Sequence, residues 1–258
     1  MGEGDFLMFD QAEFEKALAT PRLWQPIPEF LPGNRGGGKV RVLTEPELNA
    51  MTRQWFVDYE RKIQYYDEHG IDIAWTLEWA KKYWWSWLMR DMSLNDELYE
   101  PDLRYTDVSS FGRTMVGLDE FVKYNFAFFD AIPDWRYDPL PGQIFVDLTP
   151  EGEVRIVVRY IGSGHWSGPL RLYPYDEKAP AIYGTGMFIQ CRGIDRYHFN
   201  REGRMYEGDT SYDIFEATQA AGILPRDDSR AFRALLKSTK LIGTLRNLRQ
   251  RLPWLSGG

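Results

Sequence analysis

Four polar side chains stand where they could move protons: Asp107, His165, Asp195 and Tyr83. Each of the first three lies in or at the end of an alternating, strand-like run, where residues two apart share a face. Asp107 falls with Tyr105 and Leu103, whereas Arg104 and Thr106 point the other way unless a bulge intervenes. His165 falls with Ser163, Ile161, Arg159 and Val157. Asp195 falls with Cys191, Ile189 and Met187, and His198 lies opposite. If these sets line one concavity, Asp107, His165, Asp195 and Arg159 meet there, with Tyr83 descending from a helix. A dry pocket raises a carboxyl pKa, which yields a base near neutrality or a protonated donor. Such a group suits proton abstraction beside a carbonyl, dehydration or retro-aldol cleavage, with no metal and no cofactor. Each residue also has a structural explanation. Asp107 caps a turn at 109–112, His165 is a hydrogen-bonded strand-end histidine, Asp195 pairs with Arg159 or Arg192, and Tyr83 is core.

The positioning elements follow from periodicity and punctuation. Residues 1–43 carry little periodicity and read as an irregular arm. Within it, Gly33 to Lys39 matches the spacing of a phosphate loop. Val40 follows instead of Ser or Thr, and VRVLTEP looks extended, so the match is a decoy. Thr44 reads as the N-cap of a helix to Glu68, with Pro46 and Glu47 in its first turn and His69-Gly70 at its end. A second helix covers about 73–92, with Trp75, Trp79, Tyr83 and Trp87 four apart on one face. Short strands at 103–108 and 113–116 precede a helix from Leu118. Long strands follow, one into Val146, one over 154–165 and one over 181–197, and a further strand starts at Arg204. This order predicts an α+β fold in which a curved antiparallel sheet wraps around helices and leaves a pocket on its concave side. The domain spans 44–226. The tail, 227–258, carries an amphipathic helix with Phe232, Leu235, Leu236 and Leu241 against a basic face, expected to pack on the domain or in an oligomer interface.

Composition narrows the function classes. A single cysteine, Cys191, excludes an internal disulfide, and three scattered histidines give no zinc spacing. The acidic start lacks a secretory pattern and no run reaches membrane-span length, so a cytoplasmic setting is expected. The formal charge of −7 argues against nucleic acid as a partner. Six of the ten tryptophans lie between Trp55 and Trp87, which is either an aromatic core or the wall of a cavity for a flat aromatic ligand.

Three segments carry a family resemblance that covers roughly 71–216. EPDLRYTDVSSFGRTMVGLDEFVKY resembles the ketosteroid isomerase strand ending in the proton-abstracting aspartate, which falls on Asp107. Counted back without a gap, that family's oxyanion-hole tyrosine falls on Tyr83. GIDRYHFNREGRM resembles the strand with the protonated aspartate of the oxyanion hole, which falls on Asp195. YIGSGHWSGP is similar to the segment of SnoaL-like cyclases whose histidine works in acid/base catalysis, which falls on His165. The resemblance is to the superfamily of SnoaL-like polyketide cyclases, ketosteroid isomerases and scytalone dehydratases, with the nuclear transport factor 2-like cone fold. The arm and the tryptophan-rich helix also resemble diarylpropane γ-formaldehyde lyases of lignin-dimer catabolism. That likeness implies a cofactor-free cavity that removes a hydroxyl through a quinone methide and then releases formaldehyde.

The expectation is therefore a cofactor-independent lyase acting on a hydroxylated aromatic molecule, active as a homo-oligomer without membrane or nucleic-acid partners. Asp107 and His165 move protons, while Tyr83, Asp195, Arg104 and Arg159 stabilise developing charge. Trp79, Trp87, Tyr105, Trp166 and Tyr59 hold the substrate. The competing expectations are a dehydratase, isomerase or cyclase of polyketide- or steroid-like substrates, and a non-catalytic binding or assembly subunit.

Overall fold

The order of elements follows the sequence punctuation closely. A computed structural model of the chain describes residues 10–20, 27–32, 38–108, 112–171, 173 and 178–251. Helix α2 (Glu45–Glu68) starts where the Glu47 carboxylate accepts the backbone N–H of Thr44, at 2.9 Å. Helix α3 (Trp75–Met89) and a single turn, α4 (Asn95–Leu98), lead into β3 (Tyr99–Asp107) and β4 (Thr114–Val116). Gly117 precedes α5 (Leu118–Ala131), whose first turn carries Asp119 and Glu120 at the positive end of the helix dipole. Then come β5 (Arg136–Leu148), β6 (Val154–Trp166), the short β7 (Leu170–Arg171) and β8 (Ala181–Ile182), and β9 (Met187–Phe199) and β10 (Met205–Tyr212).

Six of these strands form one sheet in the order β4-β3-β10-β9-β6-β5. Every neighbouring pair is antiparallel except β3 and β10, which run parallel. The expected α+β class and sheet-around-helices plan are what the structure has. One face of the sheet meets α3 and α5, and its core is strongly aromatic: Trp79 stacks on Tyr83, and Trp87 meets Phe128 and Phe129 edge-on. The exposed edge of β5 is blunted by α2. Lys62 Nζ donates to the Ile144 carbonyl at 2.7 Å, and Tyr66 donates to that of Val146 at 3.3 Å.

The expectation about the arm needs correction. The arm is not irregular where it is described. Helix α1 (Gln11–Ala19) buries Phe14 against Phe56 and Trp84, and a hairpin, β1 (Phe30–Pro32) with β2 (Lys39–Arg41), packs Leu31 and Val42 on Phe188. Phe14, Ala17 and Leu18 recur at helical spacing, but the segment is only nine residues long. Of the phosphate-loop match, 33–37 lies outside the described residues, and Lys39 opens a strand where such a loop needs a helix. At the other end, α7 (Arg230–Arg251) forms, but Leu235, Leu236 and Leu241 are exposed. Of the two expected placements, on the domain or in an oligomer interface, this exposure favours the second, as a proposal. Helix α6 (Ile214–Ala220) was not expected, although Asp213 caps it by accepting the N–H groups of Phe215 and Glu216. Among the described residues, no helix is long and apolar enough to cross a membrane.

A buried ion pair ties α2 to the start of β5. Arg136 grips Asp138 through two bonds of 2.7 and 3.1 Å, Thr52 donates to the same carboxylate, and Arg136 also reaches Asn49. Removing one partner strands the other charge without solvent. Arg136→Met is expected to lower the urea-unfolding free energy by about 3–5 kcal/mol, and Arg136→Met with Asp138→Leu to recover most of that loss.

Candidate active site

The registers decide which side chains share a face. Thr210 on β10 sits opposite Asp107 of β3 on one side and Asp195 of β9 on the other. Residues directly opposite one another in paired strands point the same way, so the three side chains face the same side. That side is the concave one. It encloses a cavity of about 390 Å³ between the sheet, α3, α5 and α6. Aromatic rings line much of it: Tyr83 and Trp87 from α3, Tyr124 and Phe128 from α5, and Tyr105, Tyr137, Tyr160 and Trp166 from the strands. Ile214, Phe215, Ala217 and Thr218 of α6 form part of the wall.

The two carboxyls have different settings. Asp195 is 1% exposed, and both its oxygens accept hydroxyl bonds at 2.5 Å, from Thr210 and from Tyr197. Thr210 is also 2.6 Å from the hydroxyl of Tyr105, and Tyr197 is 3.2 Å from that of Tyr137. Burial pushes the Asp195 carboxyl up to about 7, against the opposing effect of those two hydroxyl bonds, with the nearby charge of Asp107 adding to the rise. Asp107 accepts a short hydrogen bond from Tyr124 on α5. Burial also drives the phenols of Tyr83, Tyr105, Tyr124, Tyr137, Tyr160 and Tyr197 upward, so these remain neutral hydroxyls at ordinary pH. The Cys191 thiol in the cavity wall is pushed up to about 12 by burial and is held as a thiol. The arrangement can hold a proton on one acid near neutrality and offer several hydroxyls to a developing oxyanion.

The structure brings together Asp107, Asp195, Tyr83, Trp87, Tyr105 and Trp166 among the expected residues. It does not bring in His165, Arg159, Arg104, Trp79 or Tyr59. In β6 the inward positions are Tyr160, Gly162, Gly164 and Trp166, so Arg159 and His165 lie on the other face. Glycine carries no hydrophobic signal, and the parity of the strand is therefore easy to misread. The glycines are required there: a Cβ on Gly162 would lie 2.2 Å from the Trp135 ring, and one on Gly164 would lie 2.5 Å from Ile132. His165 instead places Nδ1 2.7 Å from one oxygen of the buried Asp134, whose other oxygen accepts the His165 backbone N–H at 2.6 Å. Its ring meets Phe188 edge-on beneath the hairpin of the arm.

Arg159 registers with Ile194 and reaches Gln143 at 3.4 Å, and Arg104 is exposed. Trp79 lies behind Tyr83 and donates to the Leu98 carbonyl. Tyr59 is bonded to Thr76 beside a void of only about 20 Å³. The turn at 109–111 lies outside the described residues. Sequence reasoning missed Tyr124, Tyr137, Tyr160, Tyr197, Thr210 and Asp134. Tyr197 was legible, two residues beyond Asp195 in the same alternation, and Tyr124 follows Phe121 at helical spacing. Thr210 had no local signal, because its role comes from strand pairing. Among the described residues, no cluster of three or more His, Cys, Asp or Glu side chains forms a metal site.

No family model matches the chain, and no curated protein does. Among solved structures, the chain is similar to a nuclear transport factor 2-like protein of unknown function from Burkholderia pseudomallei. The identity is 17% and the TM-score 0.42, over 58% of this chain and 98% of that one. TsrD from Streptomyces laurentii matches at 18% identity and TM-score 0.41, over 59% and 98%. A phenazine biosynthesis-related protein from Pseudomonas aeruginosa matches at 15% and 0.38, over 55% and 77%. The registers and the cavity of this chain, not these distant similarities, define the site.

The position of Asp195 has a measurable consequence. Folded, it keeps its proton up to about 7, whereas an unfolded aspartate loses it near 3.8. The folded state thus binds more protons between those values, and stability falls as pH rises through them. Urea midpoints of the wild-type chain are expected to drop between pH 5 and pH 8 more than those of Asp195→Asn, which has no such proton to lose. Thr210→Val removes a bond that lowers the Asp195 pKa, and it is expected to move the decline to higher pH.

Proposed function

We propose that the protein is a lyase that works by proton transfer between its own side chains on a hydroxylated aromatic molecule. One observation carries this reading: carboxyls from two separate strands face one enclosed aromatic cavity, and one of them is poised near neutrality. In this scheme the protonated Asp195 donates to a departing benzylic hydroxyl, which leaves as water. The Asp107 carboxylate takes the proton of a para-phenol whose electrons replace the broken C–O bond, giving a quinone methide. Loss of a neighbouring hydroxymethyl group as formaldehyde then breaks a C–C bond, and its electron pair restores the phenol. The terminal hydroxyl proton passes through the hydroxyl network to Asp195. The carbon–carbon electron pair becomes the new C=C bond as the ring regains its aromaticity, and Asp107 returns its proton to the phenolate. Atoms and electrons therefore balance without an oxidant. Tyr83, Tyr197 and Tyr105 stabilise the oxygen charge that develops.

This assignment replaces the expected partnership of Asp107 with His165. The histidine lies on the face of β6 away from the cavity, and its bond to Asp134 supports a structural role beneath the arm.

A second reading, a binding subunit without catalysis, is favoured by a separate observation. Both Asp195 oxygens and one Asp107 oxygen already accept hydroxyl bonds from within the chain. Incubation with guaiacyl diarylpropane diols separates the two, with formaldehyde and the diaryl product followed by chromatography. The lyase reading expects both products, and expects Asp107→Asn and Asp195→Asn to lower turnover by roughly 10²–10⁴-fold. His165→Gln is expected to keep turnover within about tenfold of wild type while lowering stability, because it leaves Asp134 buried without its partner. Recovery of every diol unchanged supports the binding reading.

A further inference from the structure

The cavity is lopsided in charge. Two carboxyls reach it, and among the described residues no lysine, arginine or histidine lines it. This is not a shortage, since the chain has 31 lysines and arginines. A carboxylate, sulfonate or phosphate in such a space would leave water for apolar walls, find no cation and meet Asp107. A buried charge without a partner is strongly disfavoured.

The polar groups are also distributed. Strands β3 and β9 flank β10, so Asp107 and Asp195 stand two strand spacings apart, about 10 Å at the backbone. Hydroxyls fill the interval: Thr210 lies between them in register, with Tyr105 bonded to it. The rest of the lining, including Trp166, Leu170, Ile182, Ile189, Ile223 and Leu224, offers hydrocarbon and ring faces. Separate oxygen functions of one ligand therefore have separate partners, and its remainder has to be apolar.

We infer that the cavity selects its ligand by charge, admitting uncharged oxygen- or nitrogen-bearing aromatic molecules and refusing their anionic counterparts. Carboxylated, sulfated, phosphorylated and coenzyme A-linked forms of an otherwise fitting molecule are excluded. This inference rests on the reading of the cavity as the ligand site and deepens it. It does not depend on which reaction follows.

The test uses a matched pair of fluorescent probes on the full chain. N-Phenyl-1-naphthylamine is neutral, and 8-anilinonaphthalene-1-sulfonate is the same two-aryl scaffold with a sulfonate. Only signal displaced by excess neutral probe is counted, which removes sulfonate bound at the basic helix α7. The neutral probe is expected to bind at least roughly 10²-fold more tightly than the sulfonate, the scale set by burying an unpaired charge. A lysine at the half-buried wall, Ile182→Lys, supplies the missing cation and is expected to raise displaceable sulfonate binding at least tenfold. Leu224→Lys provides an independent second position.

Equal affinity of the wild-type chain for the two probes overturns the inference, as does failure to bind either. A lysine variant that still binds the neutral probe but gains no affinity for the sulfonate overturns it too. Selective neutral binding without turnover of any diol leaves this inference standing while the lyase reading fails.

Discussion

The placement of β10 between β3 and β9 is the constraint on which the site depends. Once Thr210 pairs with Asp107 on one side and Asp195 on the other, three polar side chains from distant parts of the chain must face one way. A slip of one residue in either pairing would turn a whole strand over and send its carboxyl to the outer face. The register is held by the core itself. Tyr105, Tyr197, Phe199 and Leu103 lie inward on the same strands and are almost fully buried, so a slip would expose them. Hydrophobic burial thus fixes the polar geometry, and the aspartates add little to the sheet that presents them.

The same packing explains why Asp195 can remain buried. A carboxyl removed from water is costly unless its oxygens are satisfied. Here a threonine and a tyrosine satisfy both, and a tyrosine bonded or adjacent to each of those extends the network to Tyr105 and Tyr137. Neutral hydroxyls satisfy the group without a compensating positive charge, so its pKa rises where an arginine partner would have lowered it. Two other buried acids of this chain have basic partners instead: Arg136 grips Asp138, and His165 meets Asp134. Those two carboxylates are structural fastenings. Asp195 has partners that stabilise it in either protonation state, which suits a group that must exchange a proton.

Much of this was legible in the sequence where local chemistry is decisive. Thr44, Glu47 and Gly117 mark helix starts, and the alternation around Asp107 and Asp195 gives the faces of β3 and β9 correctly. The four-residue spacing of α3 delivers Tyr83 and Trp87 to the cavity. Reading failed where local pattern and tertiary role diverge. In β6, the inward positions near the cavity include two glycines that accommodate Trp135 and Ile132, so the polar residues beside them look like the functional face. Trp79 and Tyr59 belong to an apolar periodicity that serves core and cavity alike. Thr210 and α6 owe their importance to which strand and which opening they lie beside, and neither is written in nearest neighbours.

The misreading of His165 has a physical consequence beyond the site. Its ring, Asp134 and Phe188 form a junction between the end of β6 and the hairpin that brings Leu31 and Val42 onto the outer face. Asp134 accepts the His165 backbone N–H just before the point where β5 begins to pair with β6, so it takes over hydrogen bonding at a strand end. The adjacent Trp135 meanwhile presses inward against Gly162 and lines the cavity. Two neighbouring residues therefore serve opposite faces, one fastening the arm outside and the other shaping the hollow inside. The arm and the cavity wall thus meet at adjacent residues, although no described arm side chain lines the cavity.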